Sequence, residues 1–262
     1  MNRLKSLAGL LTGFVCALSA SAFADNETAA NGPAPIERYS VMGAIKDGYL
    51  NGNVDVGTLR KQGNFGLGGF ESFSGEMLLL DGVVYRIPFN GVPEVAKDAD
   101  RLTYAEFTQF HPTFSDFETS ISKMELLKKL SEKLDNPNQF YSIKITGTFI
   151  RIKYRTLVEQ DPPYHKPICA KLIDHVFDKD NVQGTIIGFI NPSFVKGGID
   201  YPGSHLHFLS DDRRLGGHVY DFEISSATIE IGSHQVFIIH LPTAKSFANV
   251  NVDDEYPCPA QN

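Results

Sequence analysis

The 262-residue sequence has no tryptophan, only three cysteines and fewer basic than acidic residues. Three cysteines cannot form the dense disulfide framework of a small secreted domain, so that class of fold is excluded. Lysine and arginine total 24 against 31 aspartates and glutamates, and this balance is unlike that of proteins that bind nucleic acid or anionic membranes. We therefore expect neither as a partner.

Long apolar runs are also missing, except near the N-terminus. The first residues carry two basic side chains, then an apolar run from Leu7 to Leu18, then Ala22-Phe23-Ala24, which has small residues where a signal peptidase cleaves. The run is too short for a comfortable membrane span, so residues 1–24 are predicted to be a signal peptide. The mature protein is then expected to be exported, periplasmic or secreted, without a membrane segment.

The rest of the chain contains many strand patterns and few helical ones. A capping box at 122–125 predicts a helix to about Leu134, with one apolar stripe formed by Met124, Leu127, Leu130 and Leu134. Residues 140–157 alternate over an unusual length and change phase near Phe149, which predicts a strand with a bulge. Residues 227–231 and 235–241 predict a strand pair around Gly232-Ser233. The chain is therefore expected to be rich in β-structure.

Glycines cluster at positions 63, 66, 68, 69 and 75. No strand pattern precedes this cluster and no Gly-Lys-Ser/Thr sequence ends it, so neither a Walker loop nor a dinucleotide-binding loop is predicted. Close packing of backbones, or bulged strand edges, explains the cluster better.

Glu76 begins a predicted hairpin whose centre is Asp81-Gly82, a strong signal for a two-residue turn. Pairing about this turn puts Glu76 on the same face as Leu78 and Leu80. A carboxylate among apolar side chains needs a cation, a metal, strong donors or a proton. Glu76 is therefore either at a strand end in water or part of a site.

Three of the eight histidines lie within residues 205–218, in a second predicted hairpin. Side chains two apart on a strand share a face, so His205 and His207 lie side by side. If the strands fold back about Asp212-Arg213, His207 faces His218 on that same face. The turn could instead lie at 216–217 with a bulge. His207 and His218 would then still share a face only if the residue numbers of each cross-strand pair add up to an odd number.

Three neutral imidazoles on a stiff ribbon, with an open fourth position, are what a catalytic zinc site needs. Imidazole also suits copper, iron and nickel, so three histidine ligands restrict the choice of metal but do not identify it. The alternative is three ordinary histidines half exposed on strands. Their number and matching phase favour a metal site at His205, His207 and His218.

Several motifs resemble those of the bacterial α-acetolactate decarboxylases. They are His205-Leu-His-Phe-Leu-Ser-Asp-Asp-Arg213 with Gly216-Gly-His-Val219, Gly63-Asn-Phe-Gly-Leu-Gly68 and Gly75-Glu-Met77, and the similarity runs from about Tyr39 to Thr243. The resemblance implies a two-domain α/β (α+β, β-rich) homodimer with mixed sheets and the metal site on a C-terminal hairpin at the domain interface. Residues 25–37 are rich in Ala, Asn, Pro and Gly and have no periodic apolar pattern, so they are predicted to be a flexible leader. The resemblance then implies domains at 38–135 and 136–243 and a tail at 244–262 that reaches the site.

The resemblance also implies site residues beyond the histidines. Glu76 matches the family's metal-proximal glutamate, and Arg155, in Lys153-Tyr-Arg155, matches its site arginine, with Arg151 as second choice. The family supplies a further glutamate from its C-terminal tail, matched here by Glu255, with Asp254 close by. The chain departs from the family pattern near Glu76: Gly69 replaces a common threonine and Phe73 a common leucine.

The activity implied by the resemblance is decarboxylation of 2-acetolactate to acetoin and CO₂, with Zn²⁺ as cofactor, through a zinc-bound enediolate. The metal would hold the ketone and hydroxyl oxygens and accept the electrons. Arg155 would orient the departing carboxylate and lie beside the carbon that receives the proton. Either Arg155 itself or a water that it positions donates that proton.

Two rival functions and the bonding of the cysteines stay open in the sequence. An exported histidine-based metal-binding protein without turnover would also explain three histidines and a signal peptide, and a zinc hydrolase would use a glutamate base on a metal-bound water. Cys169 and Cys258, the two cysteines left after processing, either form a disulfide that pins the tail over the site or remain two free thiols.

Overall fold

The computed structural model describes residues 33–134 and 136–253, all within one compact unit, Pro33–Asn262. The fold is a strand-rich α+β fold with two sheets and few helices, as predicted. Among the described residues, no helix has both the length and the apolar character needed to cross a membrane. The predicted signal peptide at 1–24, most of the leader and the end of the tail lie outside the described residues.

Strands and short helices follow one another along the chain, and strands predominate. They are β1 Ile36–Tyr39, α1 Met42–Lys46, β2 Val54–Asp55, α2 Val56–Gln62, β3 Phe65–Phe70, β4 Glu76–Leu80, β5 Val83–Ile87, β6 Glu94–Val95, β7 Arg101–Thr108, β8 Phe114–Ser122, α3 Lys123–Lys133, β9 Phe140–Leu157, β10 Asp174–Asn191, β11 Gly203–Ser210, β12 Gly216–His234 and β13 Phe237–His240. Single 3₁₀ turns occupy Glu71–Phe73, Ile168–Ala170, Ser193–Val195 and Lys245–Asn249.

The first sheet has the order β13-β1-β7-β3-β4-β5-β6, with β2 paired to β7. It is mixed, because β1 and β13 run parallel while the other neighbours are antiparallel. The Asp81-Gly82 hairpin forms as predicted, with positive φ at both turn residues. Its register pairs Glu76 with Ile87, which places Glu76 on the face of Leu78 and Leu80.

The second sheet is antiparallel and has the order β11-β10-β9-β12-β8. An additional β11–β12 pairing closes β9, β10, β11 and β12 into a ring. β9 is a single 18-residue strand, and its register with β12 shifts on either side of Ile224, the partner of Phe149. The predicted bulge near Phe149 is thereby confirmed.

The core between the sheets takes apolar side chains from both. Leu67 and Leu78 of the first sheet belong to one buried cluster with Ile187 and Leu209 of the second. A Cβ added to Gly68 would lie 2.3 Å from a neighbouring backbone oxygen, so the glycine cluster does allow close backbone packing. Because Glu76 shares the face of Leu78, its carboxylate also points toward the second sheet.

Two local predictions need correction. The capping box of Ser122 and Glu125 is present, but α3 buries Leu126 and Leu130, while Met124 is 77% exposed and is not part of the core. The predicted hairpin at Gly232-Ser233 is also wrong. β12 runs unbroken to His234 because β9 pairs with it that far, and β13 pairs with β1 instead.

Sheet membership along the chain does not follow the predicted boundary at 135. β8 and α3 precede that boundary, but β8 pairs with β12 in the second sheet. β13 follows β12 but returns to the first sheet. The division of the chain into separate domains stays a prediction.

Candidate metal centre

The predicted histidine hairpin forms with the expected register. β11 and β12 turn through residues 211–215, and His207 pairs directly with His218. β12 also pairs with β9, so His218 lies opposite Arg155. His207, His218 and Arg155 therefore occupy one cross-strand row on three neighbouring strands, and side chains in such a row project from the same face.

Gly217 allows this row to form. Its φ is +153°, and a Cβ there would lie 2.4 Å from the backbone oxygen of Arg155. Any larger residue would push β12 away from β9, because backbone atoms cannot yield as a flexible side chain can. The glycine before His218 thus keeps this imidazole close to Arg155.

The imidazoles of His205, His207 and His218 converge and are all buried. Their ring centroids lie 5.1 to 5.4 Å apart, and one nitrogen from each ring falls within 4.8 Å of the others. Residues on two strands, none of them adjacent in sequence, thus supply three nitrogen ligands to one point. Such a group can hold a metal ion.

Electrostatics favour neutral imidazoles here. Burial lowers the pKa of His207 to about 3, and it lowers the pKa values of His205 and His218 well below their usual range. Neutral imidazole has the free lone pair that a metal needs.

Two buried ring nitrogens have no hydrogen-bond partner within the described residues. The Nδ1–H of His207 donates to the carbonyl oxygen of Met77 at 2.8 Å, which leaves its Nε2 as a buried acceptor. Nδ1 of His205 is likewise buried and unpartnered. Buried polar atoms are normally satisfied, so the unused Nε2 of His207 fits a metal-binding role, while Nδ1 of His205 lacks a partner of its own.

Arg155 and Glu76 form a buried ion pair beside the histidines. The guanidinium Nη1 of Arg155 donates to Oε1 of Glu76 at 2.5 Å, and Oε2 of Glu76 lies 3.7 Å from Nε2 of His207. Burial raises the pKa of Glu76, although the charge of Arg155 opposes the shift. Burial lowers the pKa of Arg155, but Glu76 and Asp174 outweigh it and the net shift is upward. Arg155 therefore stays a cation.

The two arginines considered for the site have different surroundings. Arg151 is exposed and forms an ion pair with Asp178 on the neighbouring strand. Arg155 is buried and lies beside Glu76, with Asp174 3.8 Å from its Nε. The structure brings Arg155 to the imidazoles and leaves Arg151 at the surface.

A pocket opens above these groups. Met42, Phe73, Tyr104, Leu157, Ile168 and Tyr201 line it together with Glu76, Arg155 and His205. Gly69 departs from the family pattern next to this pocket, and a Cβ there would lie 2.9 Å from the Tyr104 ring. Phe73, the other departure, is itself a wall of the pocket. The ring of Tyr104 thus occupies space that a side chain at 69 would need.

The predicted tail residues Glu255 and Cys258 lie outside the described residues. Cys169 is disulfide-bonded and lines the same pocket as Arg155. Of the two alternatives for the cysteines, a free Cys169 is therefore wrong. The role of Glu255 stays a prediction.

Sequence reasoning missed a buried charge cluster next to His205. Arg38, Glu106 and Asp200 are buried, and Nη1 of Arg38 donates to both carboxylates. Burial and the charge of Asp200 raise the pKa of Glu106 well above its usual value. The signal in the sequence was a single charged residue, Glu106, between apolar residues in β7. Sequence alone does not reveal that this strand lies beside β1, which carries Arg38.

Comparisons with known proteins agree on one family. The family model described as alpha-acetolactate decarboxylase matches residues 36–254. The alpha-acetolactate decarboxylase of Bacillus subtilis is 32% identical over 84% of this chain and 86% of its own, and that of Methanosarcina mazei is 34% identical over 82% and 75%. Both relatives are named as decarboxylases, which are enzymes of the carboxy-lyase class.

A solved structure agrees with the sequence comparison. The crystal structure of alpha-acetolactate decarboxylase from Bacillus subtilis strain 168 superposes with a TM-score of 0.81 at 32% identity, covering 85% of this chain and 94% of that one. Similarity of both sequence and fold extends over most of the chain. The chain therefore belongs to the alpha-acetolactate decarboxylase family.

Proposed function

We propose that this protein decarboxylates 2-acetolactate to acetoin and CO₂ with a zinc ion held by His205, His207 and His218. The observation that carries the proposal is the convergence of three neutral imidazoles beside a buried Arg155–Glu76 pair in a pocket. Membership of the decarboxylase family supports the reaction and the substrate class.

The three imidazoles and the unused Nε2 of His207 suit zinc, whose catalytic sites have protein ligands and an open position. When bound, zinc supplies a Lewis acid that stabilises negative charge developing on substrate oxygens. Oε2 of Glu76 lies 3.7 Å from Nε2 of His207, so Glu76 adds a carboxylate at the edge of this ligand group.

Arg155 is the residue best suited to bind the substrate carboxylate. Its guanidinium is buried and charged, and in surroundings of low polarity such a cation attracts an anion strongly. Glu76 holds one side of the guanidinium and thereby determines the direction of its remaining donors. A bound carboxylate is then oriented before its C–C bond breaks.

Breaking that bond releases CO₂ and leaves its electron pair on the adjacent carbon and the ketone oxygen, as an enediolate. A proton must then be added to this carbon from one side to give a chiral acetoin. Arg155 lies at that side in our proposal, either as the donor or as the residue that positions a water. The apolar walls formed by Phe73, Leu157 and Ile168 limit the access of other water molecules.

The proposal is tested by measuring CO₂ release and acetoin formation from racemic acetolactate, with the zinc-loaded protein and after chelation. We expect both products from the loaded protein, loss of both on chelation, and recovery when zinc is returned. A protein that binds zinc without producing acetoin would instead support metal binding without turnover. Ester or peptide hydrolysis without CO₂ release would support a zinc hydrolase.

We further propose that the protein acts outside the cytoplasm as a homodimer. The apolar segment and cleavage pattern in residues 1–24 support export. The dimeric state rests on the family resemblance. Export is checked by fractionation of cells, and the dimer by the mass of the protein in solution.

Replacing Glu76 by glutamine is expected to reduce the rate at least tenfold while the protein still folds, because the change removes charge beside His207 and Arg155 but nearly keeps the shape. Steady-state kinetics with thermal unfolding as a parallel measurement check this prediction. Glu118→Gln is a matched control, since Glu118 is another buried glutamate paired with a cation, Lys129, away from the pocket. Unchanged kinetics in Glu76→Gln would return this residue to a structural role.

A further inference from the structure

A buried network of charges lies behind His205 and has no part in the proposed decarboxylation. Arg38 on β1 pairs across the sheet with Glu106 on β7, and its Nη1 is 3.3 Å from Oε2 of Glu106. The same nitrogen also donates to Oδ2 of Asp200, in the loop before β11. Asp200 accepts further bonds from the side chain of Asn191 and the backbone N–H of Tyr201. The network therefore joins both sheets at the start of the histidine hairpin.

Five polar atoms at this junction are buried and without a hydrogen-bond partner among the described residues: Nε and Nη2 of Arg38, Oδ1 of Asn191, Nδ1 of His205 and Oε1 of Glu106. A ring nitrogen of His205 and a carboxylate oxygen from each of Glu106 and Asp200 lie within 4.8 Å of one another. One water molecule or a small shift would join the imidazole to the glutamate. His205 and Glu106, two side chains that approach this closely, thus have a buried unsatisfied nitrogen and a buried unsatisfied oxygen, and such atoms are complementary.

We propose that Glu106, anchored by Arg38, positions His205 for metal binding by a hydrogen bond, direct or through one water, to the ring nitrogen that the metal leaves unused. Glu106 is thus a positioning residue, and the inference rests on the proposed metal site. Metal-bound histidines usually give their second nitrogen to a carboxylate or a carbonyl oxygen. His207 already does so through Met77, and Glu106 is the partner that we assign to His205. In this bond the ring nitrogen of His205 carries the proton and donates, because the other nitrogen keeps its lone pair for the metal, and an oxygen of Glu106 accepts.

Two aromatic rings flank the imidazole of His205. The Tyr104 ring lies nearly parallel to the imidazole with centroids 6.4 Å apart, and the Tyr201 ring meets it edge-on at 6.1 Å. Arg38 packs on the Tyr104 ring, at 5.4 Å from its centroid. The same arginine thus holds both the carboxylate and one aromatic neighbour of the imidazole.

The network has two carboxyl groups and one arginine. A carboxyl group in either protonation state keeps an oxygen that can accept a hydrogen bond, so the role of Glu106 does not require it to be ionised. Replacing Glu106 by a neutral residue leaves Arg38 balanced by Asp200, so the variants should keep a stable network.

The test measures zinc affinity of the metal-free protein by competition with a chelator, and the absorption spectrum after loading with Co²⁺. We expect Glu106→Leu to weaken zinc binding by about 10- to 100-fold and to change the Co²⁺ spectrum, because His205 loses its support. Glu106→Gln retains a hydrogen-bonding group and should recover most of the affinity. Glu118→Leu, which removes a buried glutamate from an ion pair elsewhere, should leave both measurements unchanged.

Equal zinc affinity and identical Co²⁺ spectra in the parent protein and Glu106→Leu would overturn the inference and leave the network a purely structural role. Should Glu106→Leu fail to fold, Glu106→Met decides, because methionine is similar in size and cannot accept the hydrogen bond, and unchanged zinc affinity with an identical Co²⁺ spectrum in that variant overturns the inference. A parent protein that binds no zinc refutes the proposed function together with this inference. A parent that binds zinc and decarboxylates, with unaffected Glu106 variants, refutes the inference alone.

Discussion

Replacing any one of His205, His207 and His218 by alanine is expected to lower bound zinc well below one ion per chain and to abolish acetoin formation. Each substitution removes one of three protein nitrogens that meet within 4.8 Å, and two imidazoles do not hold zinc in a catalytic geometry. Of the three variants, His207→Ala should bind the least zinc, because this ring also joins the site to Met77 of the first sheet. Metal analysis of the purified variants and the acetoin assay measure the outcome.

His240→Ala is the matched control for these variants. His240 lies on β13, where Nε2 bonds to Glu37 and the ring stacks on Tyr39, far from the pocket in the pairing order of the first sheet. The His240→Ala variant should bind as much zinc per chain as the parent protein and have the same activity. Full zinc occupancy in all three site variants would refute the ligand assignment, whatever their activity.

Arg155→Lys is expected to retain zinc but to lose roughly 10²-fold in rate, about the loss seen when one preorganised donor is removed from a charge-stabilising site. Lysine keeps the positive charge but has no planar fork, so it cannot hold Glu76 and a substrate carboxylate at once in fixed directions. The acetoin formed should also have a lower enantiomeric purity, since the proton is no longer added from a defined side. Chiral chromatography of the product measures this second effect.

Arg151→Lys provides the comparison for Arg155→Lys. Arg151 is on the same strand but exposed, and its ion pair with Asp178 is open to water and contributes little. Its variant should match the parent in rate and in product handedness. A larger loss in Arg151→Lys than in Arg155→Lys would mean that the assignment of the site arginine is wrong.

Local patterns predicted the parts of this site that depend on neighbouring residues. The Asp81-Gly82 turn determined the register of the first hairpin, and with it the face of Glu76. The period of two on a strand placed His205 and His207 on one face, and a turn near Asp212 added His218 to it. In each case a short turn connects the paired strands, so the pairing depends only on residues close in sequence.

Predictions from local sequence patterns were wrong where contacts with an element distant in sequence determined the structure. Gly232-Ser233 has a strong local turn signal, but β9 offers partners for β12 as far as His234 and keeps the strand extended. Met124 lies on the predicted apolar stripe of α3, but α3 packs through Leu126 and Leu130, and Met124 faces water. The preference of a short segment is weak compared with a row of backbone hydrogen bonds or a face of apolar contacts.

The sequence by itself therefore determined the family, the strand-rich fold class and the three imidazoles of the candidate metal centre, because these depend on motifs and on local periodicity. Only the tertiary structure decided what surrounds those imidazoles. Arg155 reaches them through the β9–β12 register, Glu76 through packing of the two sheets, and Glu106 through the pairing of β1 with β7. Arg155 and Glu76 are 79 positions apart in the sequence, and Arg38 and Glu106 are 68 positions apart. Contacts over such separations arise from the packing of whole strands, which no local pattern in the chain encodes.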